Sequence, residues 1–390
     1  MYLSHLLASS ASNREIVRNL GASDLADLAE EERTSFKEEG QRELSSHPGL
    51  SMMEGVLTAS SLQCDLVWIL KSKENNIKDS AIIHKAIERK LESLDERIGN
   101  VRTVDHEELT LRIDNASGLV IYEGSKIINP PKFVIVRIGS GILKPEFHLP
   151  LLMHLEYMGV SVLNSSTACN LATHKFLHLQ ELVRHQIPIA TTFTYASKEL
   201  GDVNTELIDN VLGYPQIMKS IHGNQGSKVV LLPSPDLVSE MKNVLNHEVP
   251  FLFQDYIKES HGRDMRVIVV DNKISFSMIR SSNTSSVKAN LSAGGTAEVV
   301  TGKYPDAEEL ALKIARVLNM DIVGVDLLFS DCTGFVCCEV NNCPGITRPV
   351  YSGHGIEDDM AEMIVKRYYG KNYKCKNDDL ATDTSSECSV

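Results

Sequence analysis

The chain has 390 residues and a formal net charge of −13, and 42% of its residues are hydrophobic and 23% charged. This composition is typical of a soluble globular protein, and the length predicts two or three domains with sizeable cores. Because an acidic surface repels phosphate backbones, the net charge argues against nucleic-acid binding. No stretch approaches the roughly 18 uninterrupted apolar residues that a membrane span requires, so we expect no membrane association.

The N-terminus and the cysteines bear on the compartment. The first 19 residues lack the continuous apolar run of a secretory signal, although Arg14 and Arg18 leave a mitochondrial presequence as the alternative. Four of the eight cysteines lie close together, but their spacing fits no usual zinc motif, and Cys337 and Cys338 would point to opposite faces of one strand. We interpret them as reduced core cysteines and expect a cytoplasmic protein.

In chain order, the predicted elements begin after a mobile N-terminal extension, residues 1–62. Buried strands at 65–70, 132–138 and 161–164 alternate with helical stretches at 79–91 and 151–158. This alternation predicts an α/β domain with a small parallel sheet, residues 63–168.

From residue 169 the predicted pattern changes. A helical stripe at 176–183 is followed by strand-like segments that are mostly joined by turns, at 214–221, 227–232, 251–257, 266–270 and 274–279. Such runs predict an α+β domain with antiparallel sheets, residues 169–370. Residues 371–390 are polar and rich in Asp, Ser and Thr, which predicts a disordered tail.

The strongest chemical signal is a pair of apolar strands on either side of residues 331–334. If those residues form a four-residue hairpin loop, Asp326 lies directly opposite Glu339, and Asn341 points to the same face. Opposed carboxylates repel each other, and burial in apolar strands raises the cost. A hard divalent cation resolves the conflict, because carboxylate and amide oxygens suit Mg²⁺ or Mn²⁺. The alternative is that one of the two acids lies at a solvated edge.

A glycine-containing segment between two strands indicates phosphate binding. Gly223 and Gly226 allow backbone amides to approach a polyphosphate closely, and Lys219 offers a positive charge. The segment is not a P-loop, because no Gly-Lys-Ser/Thr ending and no helix follow. A plain glycine-rich hairpin is the alternative.

Two other segments fit the same chemistry. The strand at 251–257 ends in polar groups that can present hydrogen bonds to an adenine edge and a carboxylate to the ribose, although a plain core strand would look the same. Arg266 and Arg280 lie on two successive strands, and a polar loop with Lys288 and Asn290 follows. Arginine suits carboxylate and phosphate because its guanidinium group is planar and bidentate, although a solvated rim is the alternative.

In this order the motifs resemble the ATP-grasp fold, and most closely its RimK-type branch of glutamate ligases. That branch includes enzymes that make N-acetylaspartylglutamate or β-citrylglutamate, and others that add glutamate to the C-terminus of a ribosomal protein. The resemblance covers about residues 64–370 and rests on Lys175, residues 218–219, 223–226, 253–258, 262–266, 324–328 and 339–345.

The residue patterns and the resemblance together give the candidate site. They imply metal ligands at Asp326, Glu339 and Asn341, holding two Mg²⁺ or Mn²⁺ ions. Arg266 and Arg280 match arginines that hold the acyl phosphate and the acceptor, but a simple two-residue turn at 271–272 would direct them to opposite faces, so their convergence requires a bulge. The implied ATP contacts are Lys175, Lys219, Gly223, Gly226, Asp255, Tyr256, Asp264, Lys288, Ala289 and Asn290.

The resemblance implies an ATP-dependent ligase that joins L-glutamate to a small acid of the N-acetylaspartate or citrate type through an acyl phosphate. The alternatives are a ligase that modifies a ribosomal protein, a kinase or ATPase, and a nucleotide-binding protein without turnover. The acidic net charge favours small-molecule partners over a ribosome. An oligomer is left open.

Overall fold

The computed structural model describes residues 65–94, 98–139, 141–197, 204–223, 228–244 and 250–370. The predicted N-terminal extension and C-terminal tail lie outside these ranges and stay predictions. Within the same ranges, none of the helices combines the length and the apolar character that a membrane crossing requires.

The N-terminal part of the described chain alternates between strands and helices. Its elements are, in order, β1 (Val67–Lys71), α1 (Ile77–Glu92), β2 (Val101–Asp105), β3 (Leu109–Asp114), β4 (Gly118–Glu123), β5 (Lys126–Ile128), β6 (Phe133–Val136), α2 (Pro145–Tyr157), β7 (Ser161–Leu163) and α3 (Ser166–Thr173). The strands predicted around residues 65–70, 132–138 and 161–164 are confirmed as β1, β6 and β7.

The first sheet is parallel, as predicted, with the strand order β2-β1-β6-β7. Its central strands β1 and β6 are buried along almost their whole length, as strands covered on both faces must be. The chain leaves β1 towards β2 on one side and returns to β6 on the other. The carboxyl ends of β1 and β6 therefore border the point where the strand order reverses, which is where open α/β sheets bind ligands.

A second small sheet in this part of the chain was not predicted. Strands β3, β4 and β5 form an antiparallel sheet in which most residues are exposed or half-buried. Ile121 is buried and belongs to the core above the parallel sheet, whereas Ile113 is exposed. The apolar signal of these strands is weak because so few of their side chains enter a core.

The rest of the described chain is dominated by antiparallel strands. Its elements are, in order, α4 (Lys175–Arg184), β8 (Thr192–Phe193), α5 (Thr205–Leu212), β9 (Gln216–Ser220), β10 (Val229–Leu232), α6 (Pro235–Val244), β11 (Phe251–Asp255), β12 (Arg263–Val270), β13 (Lys273–Ser281), β14 (Thr296–Val299), α7 (Pro305–Val317), β15 (Ile322–Ser330), β16 (Gly334–Asn341) and α8 (Ile356–Tyr369).

These strands form two antiparallel sheets, which confirms the prediction for this region. One has the order β10-β9-β11-β8 and the other the order β14-β13-β12-β15-β16. The central strand β12 contributes to a core on each face of the larger sheet. Val267 and Val269 pack in the core that contains α7, and Ile268 and Val270 in the core that contains α8.

The core that contains α8 also includes residues of the parallel-sheet region. Ile83 and Ile87 of α1 belong to the same buried cluster as Met360 and Ile364 of α8. This shared core brings the carboxyl ends of β1 and β6 close to the strands that carry the predicted site.

The clustered cysteines do not all belong to the core, which corrects one prediction. Cys337 is buried in β16, but Cys332 is exposed in the loop between β15 and β16. The loop is polar and short, so a side chain at its tip reaches solvent.

Candidate active site

Two cavities meet at the five-stranded sheet. The first has a volume of about 120 Å³, and the second about 210 Å³. Both are lined by Asn290. Between them lies a group of ion pairs in which Asp326 lines the first cavity and its partners Arg266 and Arg280 line the second.

The structure brings almost all of the predicted site residues to these two cavities. Arg266, Arg280 and Asn341 line the second cavity, and Gly226 lies outside the described residues. Residues that are far apart in the sequence line the first cavity: Lys175, Lys219, Gly223, Asp255, Tyr256, Asp264, Lys288, Ala289, Asn290, Asp326 and Glu339.

Two buried lysines give the first cavity its positive charge. Lys175 is the first residue of α4, and its Nζ donates to the carbonyl of Gly223 at 2.7 Å and lies 3.2 Å from Glu339 Oε1. Lys219 lies on β9, where Met218 points into the core and Lys219 to the cavity. Its Nζ donates to the carbonyl of Cys338 at 3.3 Å. Buried ammonium groups require anionic or strongly polar partners, so this wall suits a phosphate chain.

The end of β11 forms another wall of the first cavity. Asp255 ends the strand, and Tyr256 and Ile257 follow it at the cavity. The hydroxyl of Tyr256 lies 2.5 Å from His261 Nδ1, and His261 Nε2 lies 3.2 Å from the carbonyl of Ser285. These contacts connect β11 with the segment after β13 that carries Lys288, Ala289 and Asn290.

The hairpin that carries the predicted metal ligands has a shorter loop than expected. Ser330 pairs with Gly334, so the loop has three residues, and Gly334 has a positive φ of 74° as such loops require. This register alone would not place Asp326 opposite Glu339. A β-bulge leaves Cys338 unpaired between Cys337 and Glu339, and the pairing of Asp326 with Glu339 is restored.

A second bulge directs the two arginines to one place. Asp271 and Asn272 form a two-residue turn with positive φ at both residues. The register of β12 and β13 shifts after Ile268, so that Ser275 of β13 has no paired residue on β12. Arg266 and Arg280 therefore both reach Asp326, at 2.7 Å and 2.9 Å. The bulge that their convergence required is present.

Asp326 is the centre of a buried network of four charges. Its two oxygens accept from Nε and Nη2 of Arg266, each at 2.7 Å, and Oδ2 lies 2.9 Å from Nη2 of Arg280 in an ion pair. Arg280 also donates two hydrogen bonds of 2.6 Å to Asp264. Burial alone would raise the pKa of Asp326, but the two guanidinium groups overcome it and lower the pKa to about 2. Asp326 is therefore ionised, and the two arginines offset the two carboxylates.

This network changes the argument for a metal. The sequence argument used a cation to separate opposed carboxylates, but here Arg266 and Arg280 compensate Asp326, and Lys175 compensates Glu339. Among the described residues no three His, Cys, Asp or Glu side chains gather as a metal-binding group. Asn341 completes the predicted set as an amide, and its buried Nδ2 has no hydrogen-bond partner among the residues that the structure describes. Two carboxylates and an amide oxygen fit a hard cation chemically.

Asn164 is a structurally important residue that sequence reasoning did not single out. Its Oδ1 accepts from the backbone of Asp321 at 2.7 Å and of Ile322 at 2.9 Å. Its Nδ2 donates to the carbonyls of Ile322 at 2.6 Å and Asn342 at 3.0 Å. One buried amide thus fixes the start of β15 and the residue after β16. These partners are more than 150 residues away in sequence, so no local pattern could have indicated them.

Arg137 holds the loop after β16 in a similar way. The side chain is fully buried, and its Nη2 donates to the carbonyl of Pro344 at 2.8 Å and to Asp79 at 3.2 Å. Asp79 in turn accepts from the backbone of Ile346 at 3.3 Å. Arg137, which directly follows β6, and Asp79 of α1 therefore both fix the segment that follows Asn341. A strand over residues 132–138, which include Arg137, was predicted, but the partners of Arg137 were not.

Comparisons with known proteins decide the family. Residues 67–169 match the model of the RimK pre-ATP-grasp domain, and residues 172–364 match the model of the RimK-like ATP-grasp domain. The chain belongs to the RimK-like ATP-grasp family. A probable alpha-L-glutamate ligase from Hydrogenovibrio crunogenus is 31% identical over 295 residues, which cover 74% of this chain and 92% of that protein.

Two human proteins are also similar to this RimK-like chain. Beta-citrylglutamate synthase B is 33% identical over 242 residues, 62% of each chain, and N-acetylaspartylglutamate synthase A is 36% identical over 213 residues, 54% of each chain. The chain thus matches about half to three fifths of the length of these relatives.

The fold agrees with solved ATP-grasp structures. A RimK-domain ATP-grasp protein from Sphaerobacter thermophilus superposes with a TM-score of 0.56 at 19% identity, covering 76% of this chain and 98% of that one. The ATP-grasp fold implies ATP binding and the use of a divalent cation in general.

Proposed function

We propose that this RimK-like protein joins L-glutamate to a small acid of the N-acetylaspartate or citrate type, with ATP as the energy source and an acyl phosphate as intermediate. The observation that carries the proposal is the position of the Asp326, Arg266 and Arg280 network between the lysine-lined first cavity and the arginine-lined second cavity. Phosphate chemistry suits the first, and carboxylate binding suits the second. The names of the similar synthases support the choice of substrates.

The proposed reaction needs no covalent nucleophile from the protein. The carboxylate of the acid attacks the γ-phosphorus of ATP, ADP leaves, and the amine of glutamate then displaces phosphate from the acyl phosphate to form the amide. Lys175 and Lys219 offset charge on the phosphate chain, and Arg266 and Arg280 hold the transferring phosphoryl group and the developing oxyanion. Asp255 and Tyr256 contact the adenosine, while residues 288–290 and Asp264 complete the nucleotide cavity.

We assign the cation site to Asp326, Glu339 and Asn341, and we propose that these residues hold two Mg²⁺ or Mn²⁺ ions. A bound cation would offset charge on the transferring phosphoryl group. Replacing Glu339 with Gln should lower turnover by orders of magnitude while the fold stays intact. Glu309→Gln is the matched control, because Glu309 is exposed on α7 and lines neither cavity. A well-folded Glu339→Gln protein with wild-type turnover would remove the cation assignment.

A ligase that glutamylates a ribosomal protein is the second candidate, because the family includes such enzymes. The net charge of −13 provides no general attraction to a phosphate-rich surface. The deciding assay offers ATP, Mg²⁺ and labelled glutamate with either small acids or whole ribosomes, read by mass spectrometry. Label that enters only a ribosomal polypeptide would overturn the small-molecule proposal.

A further inference from the structure

Among the described residues that line the second cavity, Arg348 is an arginine whose charge no neighbouring carboxylate offsets. Arg266 and Arg280 supply two positive charges, and Asp264 and Asp326 supply two negative charges in direct contact with them. Arg348 also lines this cavity, is exposed, and donates from Nη1 to the carbonyl of Leu291 at 3.3 Å. Within the described part of the chain, no carboxylate lies at ion-pair distance from it.

Another part of the wall of the second cavity is also suited to an anion. Asn75 and Asn76 line it after β1, and α1 begins at the next residue, so the N-terminal end of that helix borders the cavity. Gly139 follows β6 on the same side. These residues lie at the reversal of strand order in the parallel sheet, which is where such sheets bind ligands. No acidic residue is found among the described residues that line this cavity.

We propose that Arg348 binds a side-chain carboxylate that the reaction does not consume, and that it thereby selects substrates with a second carboxylate. The inference rests on the proposed ligase function and deepens it. The reacting carboxylate must lie beside Arg266 and Arg280, at the boundary with the first cavity. A second carboxylate on the same molecule, or on the other substrate, then finds its uncompensated cation at Arg348, where a planar guanidinium group offers bidentate hydrogen bonds.

Two substrates share this chemistry, since the acid and glutamate each carry more than one carboxylate. Isosteres in which the side-chain carboxylate is replaced by a neutral amide distinguish them, and each is the neutral member of its pair. N-acetylasparagine replaces one carboxylate of N-acetylaspartate with an amide, and glutamine does the same for glutamate. The experiment compares kcat/KM for each pair in the wild type, in Arg348→Gln, in Arg348→Lys, and in the control Arg316→Gln. Arg316 is exposed near the end of α7 and lines neither cavity.

The expected result is selective. Arg348→Gln should lower kcat/KM about 10- to 100-fold for the charged member of one pair, which is the usual effect of losing hydrogen bonds to a charged group. The neutral member and the KM for ATP should not change, and Arg348→Lys should recover part of the loss. Loss in the acid pair identifies the acid as the ligand of Arg348, and loss in the glutamate pair identifies glutamate.

Three results would overturn the inference. The first is an equal loss for charged and neutral members in Arg348→Gln, the second is no loss, and the third is the same loss in Arg316→Gln. Calorimetric binding of the same four compounds without ATP keeps the test independent of turnover. If the wild type forms no amide, the ligase proposal fails, and the calorimetric binding measurements then test the role of Arg348 by themselves. A preference for charged over neutral ligand that Arg348→Gln abolishes supports its role, and a wild type without preference overturns it.

Discussion

Replacing Asp326 with Asn should destabilise the protein without nucleotide far more than replacing Glu339 with Gln. Asp326 is 4% exposed and is in contact with two arginines, which lower its pKa from an ordinary 3.8 to about 2. One pH unit corresponds to about 1.4 kcal/mol, so the network favours the ionised form by roughly 2–3 kcal/mol. Breaking a buried ion pair by removing one partner costs about 3–5 kcal/mol, because the other charge is left uncompensated.

The two estimates together give an expected loss of about 3 kcal/mol for Asp326→Asn. Asn keeps the shape of the side chain and one acceptor oxygen, so the loss is electrostatic and no cavity forms. Glu339 is more exposed, at 22% of its side chain, and has one ion pair of 3.2 Å with Lys175. Its replacement by Gln should therefore cost about 1 kcal/mol or less.

Urea denaturation of the full chain, without ATP or divalent cation, measures this difference. Since a multidomain chain need not unfold in one step, the midpoints of the first transition are compared in place of extrapolated free energies. The Asp326→Asn midpoint should lie clearly below that of Glu339→Gln. Equal midpoints for the two variants, or a more stable Asp326→Asn protein, would refute the inference that Asp326 stabilises the buried charges of Arg266 and Arg280.

Two further predictions concern the first cavity and its surroundings. Lys219→Ala should weaken ATP binding measured by calorimetry and leave the melting temperature of the nucleotide-free protein nearly unchanged, because within the described chain its Nζ donates one hydrogen bond, of 3.3 Å, to the carbonyl of Cys338. Unchanged ATP affinity with a large loss of stability would contradict this prediction. His178 is fully buried, and burial lowers its pKa to about 3. Below the ordinary pKa of 6.5, the unfolded chain binds a proton at His178 that the folded chain does not, so the free energy of unfolding should fall by up to about 1.4 kcal/mol per pH unit from pH 6.5 towards pH 3. His178→Gln should reduce this loss in acid denaturation curves. A curve identical to that of the wild type would contradict the lowered pKa of His178.

The parts of the fold that could be predicted from the sequence are those with continuous apolar runs. β1 and β6 are buried on both faces, so their sequences are recognisable as strands of a covered parallel sheet. β3, β4 and β5 were missed because they are largely exposed and bury few side chains. The shared core of α1 and α8 was also not predictable, since it depends on contacts between distant segments.

The candidate site shows a different limit. The opposition of Asp326 and Glu339 was predicted from a four-residue loop, but the loop has three residues and the bulge at Cys338 compensates for the difference. The convergence of Arg266 and Arg280 depends in the same way on the bulge at Ser275. A bulge changes which face every later side chain occupies, and no residue type at Ser275 or Cys338 marks it. The residue types of the candidate site could thus be read from the sequence, whereas the strand faces to which their side chains point could not.

The network around Asp326 is better explained by chemistry than by stability. A buried group of ion pairs can often be replaced by apolar residues at no cost to stability, so the fold alone does not require four charges at this place. Apolar residues cannot offer cations where phosphoryl charge develops, nor keep a carboxylate ionised beside a phosphate chain. In the proposed reaction, Arg266 and Arg280 supply those cations, and their ion pairs with Asp326 keep its carboxylate ionised. The network lies between a cavity with buried lysines and a cavity lined by arginines, which is where a carboxylate and a γ-phosphate would have to meet.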